Sequence, residues 1–185
     1  MDAEGINTPI TILKVESLMS DTFNIASWIS EHSKIRPNQL AVLFPGSKRT
    51  SGVREYSSLT FIETEKLINR YARGFSDLGI RQGDRVSLFV KPCLEFMPIT
   101  FALYKIGAVV VLIDPGMGKK GLLNSIATIK PRALVGVPKA MFASLVYPKY
   151  FKSVEIKVTV GNWKWLWGGY LLKKIQKNLM MYRIL

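Results

Sequence analysis

The stretch Tyr104–Gly118, YKIGAVVVLIDPGMG, decides the fold class of this chain. Gly107 is placed to end a helix, and Ala108–Ile113 follows it as an unbroken apolar run of β-branched and aliphatic residues. Such a run predicts a strand covered on both faces, as in a parallel sheet flanked by helices. The glycine-rich loop after the strand lies where α/β proteins usually bind their ligands.

Helical and strand patterns alternate along the rest of the chain. The clearest helix is Thr60–Leu78, because Thr60 and Glu63 have capping-box spacing and Gly79 can end the helix. The other predicted helices are Ile25–Ile35 (capped by Asn24), Leu94–Ile106 (starting late or bending at Pro98), Lys119–Ile129 and Pro138–Val146. The other predicted strands are Arg85–Val90, Ala133–Val137, Glu155–Val160 and a hairpin of Leu40–Phe44 with Arg54–Tyr56. This order predicts an α/β fold with a mainly parallel sheet, because right-handed βαβ crossovers connect such elements economically.

The first helix has a predicted buried side. Ile25, Trp28, Ile29 and Ile35 fall together at helical spacing, and we expect them to face the core. Residues 1–20 show no clear period, so we expect residues 1–21 to form an irregular N-terminal arm.

Length and composition predict one domain with a sizeable core. The chain has 185 residues, of which 48% are hydrophobic. Its single cysteine, Cys93, excludes an intramolecular disulfide framework and a cysteine-cluster metal site. The sequence shows no secretory signal and no apolar run long enough for a transmembrane helix, so a cytoplasmic location is expected.

The net charge of +13 is unevenly placed. Residues 1–118 hold 13 Lys/Arg and 12 Asp/Glu, whereas residues 119–185 hold 13 Lys/Arg and one acid, Glu155. A basic half can bind nucleic acid or an anionic membrane, or can be the neighbour of an acidic segment that is absent. Nucleic acid is the least favoured partner, because the sequence contains no recognition motif.

The loop glycines Gly116, Gly118 and Gly121 spell G-x-G-x-x-G after a strand and into a helix. Dinucleotide sites also need an acid about 20 residues later, and none occurs between Asp114 and Glu155. A plain turn is therefore favoured over a dinucleotide site. The P-loop pattern fails as well, although Lys119 and Lys120 near a helix start could attract an anion.

Two further side chains, His32 and Cys93, are candidate catalytic groups. His32 is the only histidine and lies among serine and lysine residues, so a surface role is favoured over a metal site or a triad. Cys93 precedes a helix, where a thiol can become reactive, but a structural thiol is favoured because no base is near in sequence.

The segment Trp163–Leu185 is basic and aromatic. Leu171, Ile175, Leu179 and Tyr182 share one helical face, opposite Lys173, Lys174 and Lys177. This pattern is typical of a helix that lies on an anionic membrane, and equally of a core-facing helix. The alternative function is therefore that of a non-catalytic basic protein bound peripherally to anionic membranes through this segment.

Three blocks of sequence resemble the beginning of the adenylate-forming (AMP-binding) synthetase superfamily. They are Tyr56–Phe61 with its helix, the GIRQGDRV turn at residues 79–86, and Tyr104–Val109 continuing to Asp114-Pro115. The order and spacing of the three blocks match over roughly residues 22–160. The resemblance implies a partial adenylation domain at 22–160, followed by the basic aromatic segment at 161–185.

The form LIDPGMG at residues 112–118 resembles a narrower branch, the fatty-acid-CoA-ligase-like proteins that include olefin β-lactone synthetases. Members of the superfamily activate a carboxylate with ATP, release pyrophosphate and form an acyl-adenylate. Ligases then pass the acyl group to CoA, whereas the β-lactone enzymes close a 3-hydroxy acid onto itself. The resemblance implies ATP and Mg²⁺, with CoA as a further substrate, for the full-length family.

The family motifs that carry the chemistry have no counterparts in these residues. The Ser/Thr/Gly-rich phosphate loop, the adenine and ribose motifs and the lid lysine are expected beyond residue 185. We therefore expect no catalytic, cofactor-binding or metal-binding residue in the chain, little affinity for ATP or Mg²⁺, and no ligase activity for the chain alone.

Overall fold

The computed structural model describes residues 24–48, 54–113, 115–161 and 168–177. The expected arm at 1–21 and Asp114 lie outside the described residues. The helices are α1 (Ala26–Ile35), α2 (Phe61–Asp77), α3 (Phe96–Lys105), α4 (Gly118–Ile129), α5 (Pro138–Val146) and α6 (Leu172–Lys177). The strands are β1 (Leu40–Lys48), β2 (Arg54–Thr60), β3 (Arg85–Phe89), β4 (Val109–Leu112), β5 (Ala133–Gly136), β6 (Ile156–Thr159) and β7 (Tyr170–Leu171). Short 3₁₀ turns occupy Pro115–Met117 and Pro148–Tyr150.

Strands β3 to β7 form one five-stranded sheet in the order β4-β3-β5-β6-β7, and each of its pairs is parallel. This confirms the predicted α/β class with a mainly parallel sheet. Strands β1 and β2 form a separate antiparallel pair, which confirms the hairpin and extends both of its strands. We call this pair the β1–β2 ribbon.

Helices cover both faces of the parallel sheet. One face packs Val86, Val135 and Val158 against α2, α3 and α6, and the other packs Leu134 against α4 and α5. All four residues of β5 are buried. The central strand of the sheet is therefore β5, since it pairs with β3 on one side and β6 on the other.

The prediction that Ala108–Ile113 is covered on both faces is wrong. This segment forms β4, which lies at the edge of the sheet, and Val109 and Leu112 are 50% and 58% exposed. The apolar run alone could not show where its strand lies in the sheet, because edge strands and central strands can have the same local composition. The neighbouring elements decide how much of each strand is covered.

The expected buried side of α1 is also wrong. Ile25, Trp28 and Ile35 are exposed, whereas the buried residues of the helix are Ala26 and Ser33. Ile29 alone of the predicted set packs on the core. The helix turns its small and hydroxyl-bearing side inward, because that side meets a polar cluster described below.

The termini of the predicted helices follow the expected capping chemistry. The Thr60 hydroxyl accepts a hydrogen bond from the Glu63 amide at 3.4 Å, and the Glu63 carboxylate accepts one from the Thr60 amide at 2.8 Å. The Thr60 amide, and after it the Thr60 hydroxyl, donate hydrogen bonds to the Glu63 carboxylate and hold the pKa of Glu63 below its ordinary value. Gly79 has a positive φ of 89°, as a C-terminal glycine does. The start of α1 differs from the prediction, because the N-cap residue is Ile25, although the Asn24 side chain accepts a hydrogen bond from the Ala26 amide.

The described part of the basic aromatic segment packs into the core. Leu172 and Ile175 of α6 are 2% and 7% exposed and contact the core of α2 and α3. The core-facing interpretation therefore applies to α6, whose apolar side chains are not available to lipid. Leu171 was predicted to lie on this helix, but it lies in strand β7. Trp163, Leu179 and Tyr182 lie outside the described residues. No helix in the described ranges is long and apolar enough to cross a membrane.

Candidate functional site

The carboxyl edge of the parallel sheet has a topological switch point between β3 and β5. The chain leaves β3 towards β4 on one side, and it leaves β5 towards β6 on the other. The two strand ends are in close contact, because the Val137 amide donates to the Phe89 carbonyl at 2.9 Å and Gly136 lies against Phe89. Ligands of open α/β sheets bind at such a crevice, so this edge is the candidate site.

The polar groups that follow these strands are few. Lys91, Cys93 and Glu95 follow β3, and Lys139 follows β5. Cys93 is half-buried, and its carbonyl accepts a hydrogen bond from the Phe96 amide where α3 begins. In the described ranges, no three His, Cys, Asp or Glu side chains come close enough to hold a metal ion.

The glycine-rich loop forms a turn. Pro115–Met117 is a 3₁₀ turn, and α4 starts at Gly118, which has a positive φ of 75°. A β-carbon at Gly121 would meet only Met117, at 3.4 Å, which is ordinary contact. The loop therefore needs glycine at position 118 for its positive backbone angle. This agrees with the interpretation of the loop as a plain turn.

The two lysines at the start of α4 have different surroundings. The Lys119 ammonium lies 4.5 Å from the centre of the Tyr147 ring, within the range of a cation–π contact. Lys120 is exposed. Lys119 therefore has an aromatic partner within the chain, which the sequence did not predict.

His32 is half-buried at the end of α1 and contacts the Phe61 ring edge-on at 5.3 Å between centroids. Arg36 lies over the same ring and has a nitrogen 3.3 Å from His32 Nδ1. His32 therefore helps to join α1 to the start of α2. The predicted surface role is correct in that His32 lies at the protein surface, and its packing role was missed.

A group of charged side chains lies at the amino edge of the sheet. The Arg132 guanidinium donates to Asp84 Oδ2, to the Gly79 carbonyl at 2.8 Å and to Glu155 Oε2 at 2.9 Å. Asp84 also accepts from the Arg81 amide at 2.8 Å. Arg132 therefore ties the residues that precede β3, β5 and β6 to one another.

These contacts determine the ionisation of the group. Burial opposes the charge on Asp84, but the Arg81 amide and Arg132 outweigh it and hold the pKa of Asp84 below its ordinary value. The pKa of Arg132 is raised by its hydrogen bonds to Glu155 and Asp84. The group is a structural clamp, because its members are paired with one another.

We expect Asp84→Asn to lower the free energy of unfolding at pH 7 by about 1–2 kcal/mol, since one charge-assisted hydrogen bond is weakened. A carboxyl whose pKa is depressed by folding stabilises the protein above its unfolded pKa of about 3.9 and loses that effect as the pH falls through the folded value. The wild type should therefore lose stability below about pH 4 more steeply than Asp84→Asn. Urea unfolding between pH 7 and pH 3 measures both effects, with exposed Asp77→Asn as the control.

Another cluster of charged side chains lies among the helices, and the sequence analysis did not predict it. Glu65 Oε1 accepts hydrogen bonds from Lys105 at 2.8 Å, from Ser30 at 2.8 Å and from Asn69 at 3.0 Å. Glu65 is 9% exposed, and its Oε2 atom is buried without a hydrogen-bond partner among the described residues. The cluster joins α1, α2 and α3, and it explains why α1 buries its serine side.

Comparisons with known proteins agree with this architecture. A model of the AMP-binding enzyme family matches residues 29–173, which is more than half of the chain. The chain belongs to the AMP-binding enzyme family. Its members are adenylate-forming ligases, and the match runs past residue 160 into the segment that contains α6.

Two curated relatives and one solved structure illustrate the match. The olefin beta-lactone synthetases of Xanthomonas campestris pv. campestris and Stenotrophomonas maltophilia are 33% and 34% identical to this chain over 161 residues. The matched part is 86% of this chain and 29% of each relative. The coronafacic acid ligase of Pectobacterium brasiliense has a similar fold, with a TM-score of 0.68 at 22% identity over 84% of this chain and 29% of that one.

Residues of the three sequence blocks of this AMP-binding protein have structural roles. Gly83, with a φ of 81°, donates its amide to the Gly107 carbonyl at 2.9 Å, so the second block is tied to the third. Asp84 of the second block is the acceptor in the Arg132 clamp. Thr60, near the end of the first block, caps α2. The residues that carry the family resemblance therefore build the scaffold.

Proposed function

We propose that this chain forms the first part of an ATP-dependent, acyl-adenylate-forming ligase whose substrate is a fatty or 3-hydroxy-fatty acid. The observation that carries the proposal is the 161-residue match to olefin beta-lactone synthetases, together with the LIDPGMG loop. The chain spans about 29% of the length of those relatives, so the activity is a proposal for the whole enzyme.

The proposed contribution of this chain is structural. The Arg132 clamp fixes the amino edge of the sheet, and the Glu65 cluster fixes the helices on one face. We propose that these contacts hold in place the strands that form the crevice at the carboxyl edge between β3 and β5. We propose that further sequence brings the ATP, Mg²⁺ and acyl groups to this edge, and that residues 24–177 supply no catalytic group.

The reaction class makes the proposal testable. In adenylation, a carboxylate oxygen attacks the α-phosphorus of ATP, the bond to the β-phosphate oxygen breaks, and pyrophosphate leaves. We expect no pyrophosphate release when the purified chain receives ATP, Mg²⁺ and a 3-hydroxy-fatty acid. Pyrophosphate release above the level of a blank without protein would contradict the proposal that the chain lacks catalytic groups.

A chimera tests the scaffold part of the proposal. The matched 161 residues of the Xanthomonas relative are replaced by those of this chain, and the unaltered relative is the positive control. We expect the chimera to release pyrophosphate with long-chain acids and to prefer them to acetate. A folded chimera without activity, beside an active control, would contradict the proposed role.

A further inference from the structure

Helix α5 carries apolar side chains on its outward side. Leu145 and Val146 lie three and four residues after Phe142, so the three side chains share one side of the helix. Phe142, Leu145 and Val146 are 52%, 40% and 47% exposed. The inward side of the same helix buries Met141 and Ser144. A helix that is apolar on both sides is typical of a helix that a partner covers.

Lysines flank these apolar side chains at both ends of the helix. Lys139 lies three residues before Phe142, and Lys149 lies in the 3₁₀ turn that follows α5 and contacts it. Both lysines are exposed. We call Lys139, Phe142, Leu145, Val146 and Lys149 the α5 surface.

The start of α4 lies beside the α5 surface. The Lys119 ammonium lies over the ring of Tyr147, the residue that directly follows α5, and Met117 next to it is 49% exposed. The Lys149 ammonium lies 5.0 Å from the centre of the Tyr150 ring. Both tyrosines are half-buried. Half-buried tyrosine rings with lysine ammonium groups over them suit a boundary between water and an apolar phase.

The positive charge of this part of the chain is not balanced locally. Residues 115–154 contain seven Lys/Arg and no Asp or Glu. The acids on either side are Asp114, which lies outside the described residues, and Glu155, which is paired with Arg132. By contrast, α2 on the other face of the sheet carries three acids and three bases. Charge complementarity therefore favours an anionic partner for the α5 surface.

We propose that the α5 surface binds an anionic lipid bilayer. The side chains of Phe142, Leu145 and Val146 enter the boundary between headgroups and acyl chains, and the lysines meet the lipid phosphates. Such binding adds the burial of apolar area to the attraction between basic side chains and anionic lipid. A bilayer needs no matching shape, whereas a stable protein partner covers a larger interface than three apolar side chains supply.

This surface differs from the segment Trp163–Leu185, whose described helix α6 packs into the core on the other face of the sheet. It also does not depend on the acyl substrate proposed above. For a fatty-acid ligase, such a surface would bring the enzyme to the phase in which its substrate dissolves.

Vesicle binding by the complete 185-residue chain tests the proposal. The probes are vesicles of phosphatidylcholine alone, and vesicles of phosphatidylcholine and phosphatidylglycerol in equal parts. We expect the chain to sediment with the anionic vesicles at low salt and to bind the neutral vesicles little. High salt should weaken the binding about tenfold or more, because it screens the attraction between the lysines and the lipid.

Charge-matched variants locate the basic part of the surface. Lys139→Gln combined with Lys149→Gln should weaken binding to the anionic vesicles about tenfold or more. The control, Lys34→Gln combined with Lys66→Gln, removes the same charge from exposed positions of α1 and α2. It should weaken binding about twofold or less, because those positions lie away from the α5 surface.

A second pair of variants tests the apolar part. Phe142→Gln should weaken binding about fivefold or more, because apolar area that enters the bilayer is lost. Trp28→Gln, at a 58% exposed tryptophan of α1, should leave binding unchanged. Circular dichroism of each variant checks that the chain remains folded.

Three results would overturn the inference. The first is the absence of binding to anionic vesicles at low salt. The second is equal weakening by the two lysine pairs, which would show that net charge alone decides binding. The third is weakening by the α5 lysine pair without weakening by Phe142→Gln, which would indicate a purely ionic partner such as an acidic protein. Because no readout uses pyrophosphate, failure of the proposed ligase activity leaves this test unaffected.

Discussion

Replacing Lys105 with methionine should lower the free energy of unfolding by about 2–3 kcal/mol, because the Glu65 carboxylate would remain buried without its cation. Glu65 would keep only the neutral donors Ser30 and Asn69. Loss of one partner of a fully buried pair costs about 3–5 kcal/mol, and we expect less here because the Lys105 side chain is 32% exposed. Urea unfolding with an unchanged denaturant slope measures the loss.

The double variant Lys105→Met, Glu65→Leu separates the charge from the packing. It should recover most of the lost stability, because a buried ion pair replaced by apolar groups of similar size is often neutral. Lys66→Met is the matched control, since Lys66 is exposed on the same helix as Glu65. If Lys105→Met is no more harmful than Lys66→Met, the buried cluster does not stabilise the helices as described.

Replacing Gly74 with alanine should destabilise the chain by about 1–3 kcal/mol, although alanine is the better helix former by about 1 kcal/mol. A β-carbon at Gly74 would collide with Cγ2 of Ile175 and lie 3.1 Å from its Cβ, so α6 could not keep its position on α2. The expected loss is that of the packing of Leu172 and Ile175, which are both buried.

A double-mutant cycle with Ile175→Ala checks this contact. Ile175→Ala alone should cost about 2–4 kcal/mol, and Gly74→Ala added to it should cost little, because its methyl group enters the space that was vacated. Gly121→Ala is a suitable control, since its β-carbon would meet Met117 at an ordinary 3.4 Å. Additive effects of the two substitutions would show that α6 does not pack on Gly74.

The amino-acid sequence determined much of the fold. Local signals act within a few residues, and the Thr60–Glu63 cap, the Gly79 stop and the helix at Pro138–Val146 all appear as predicted. The alternation of helices and strands was sufficient to predict the parallel sheet, because parallel strands need crossover connections. The order of the sequence blocks at residues 56–61, 79–86 and 104–115 was sufficient to identify the family.

Only the tertiary structure decided the features that depend on neighbours distant in sequence. The run Ala108–Ile113 has the composition of a central strand, but among the described residues its strand β4 lies at the edge of the sheet, and Val109 and Leu112 are largely exposed. Apolar spacing in α1 pointed to the wrong side, because Glu65 and Lys105, 35 and 75 residues beyond Ser30, draw its serine side inward. The sequence by itself therefore determined the elements and the family, whereas burial and charge pairing were decided by contacts that no local pattern contains.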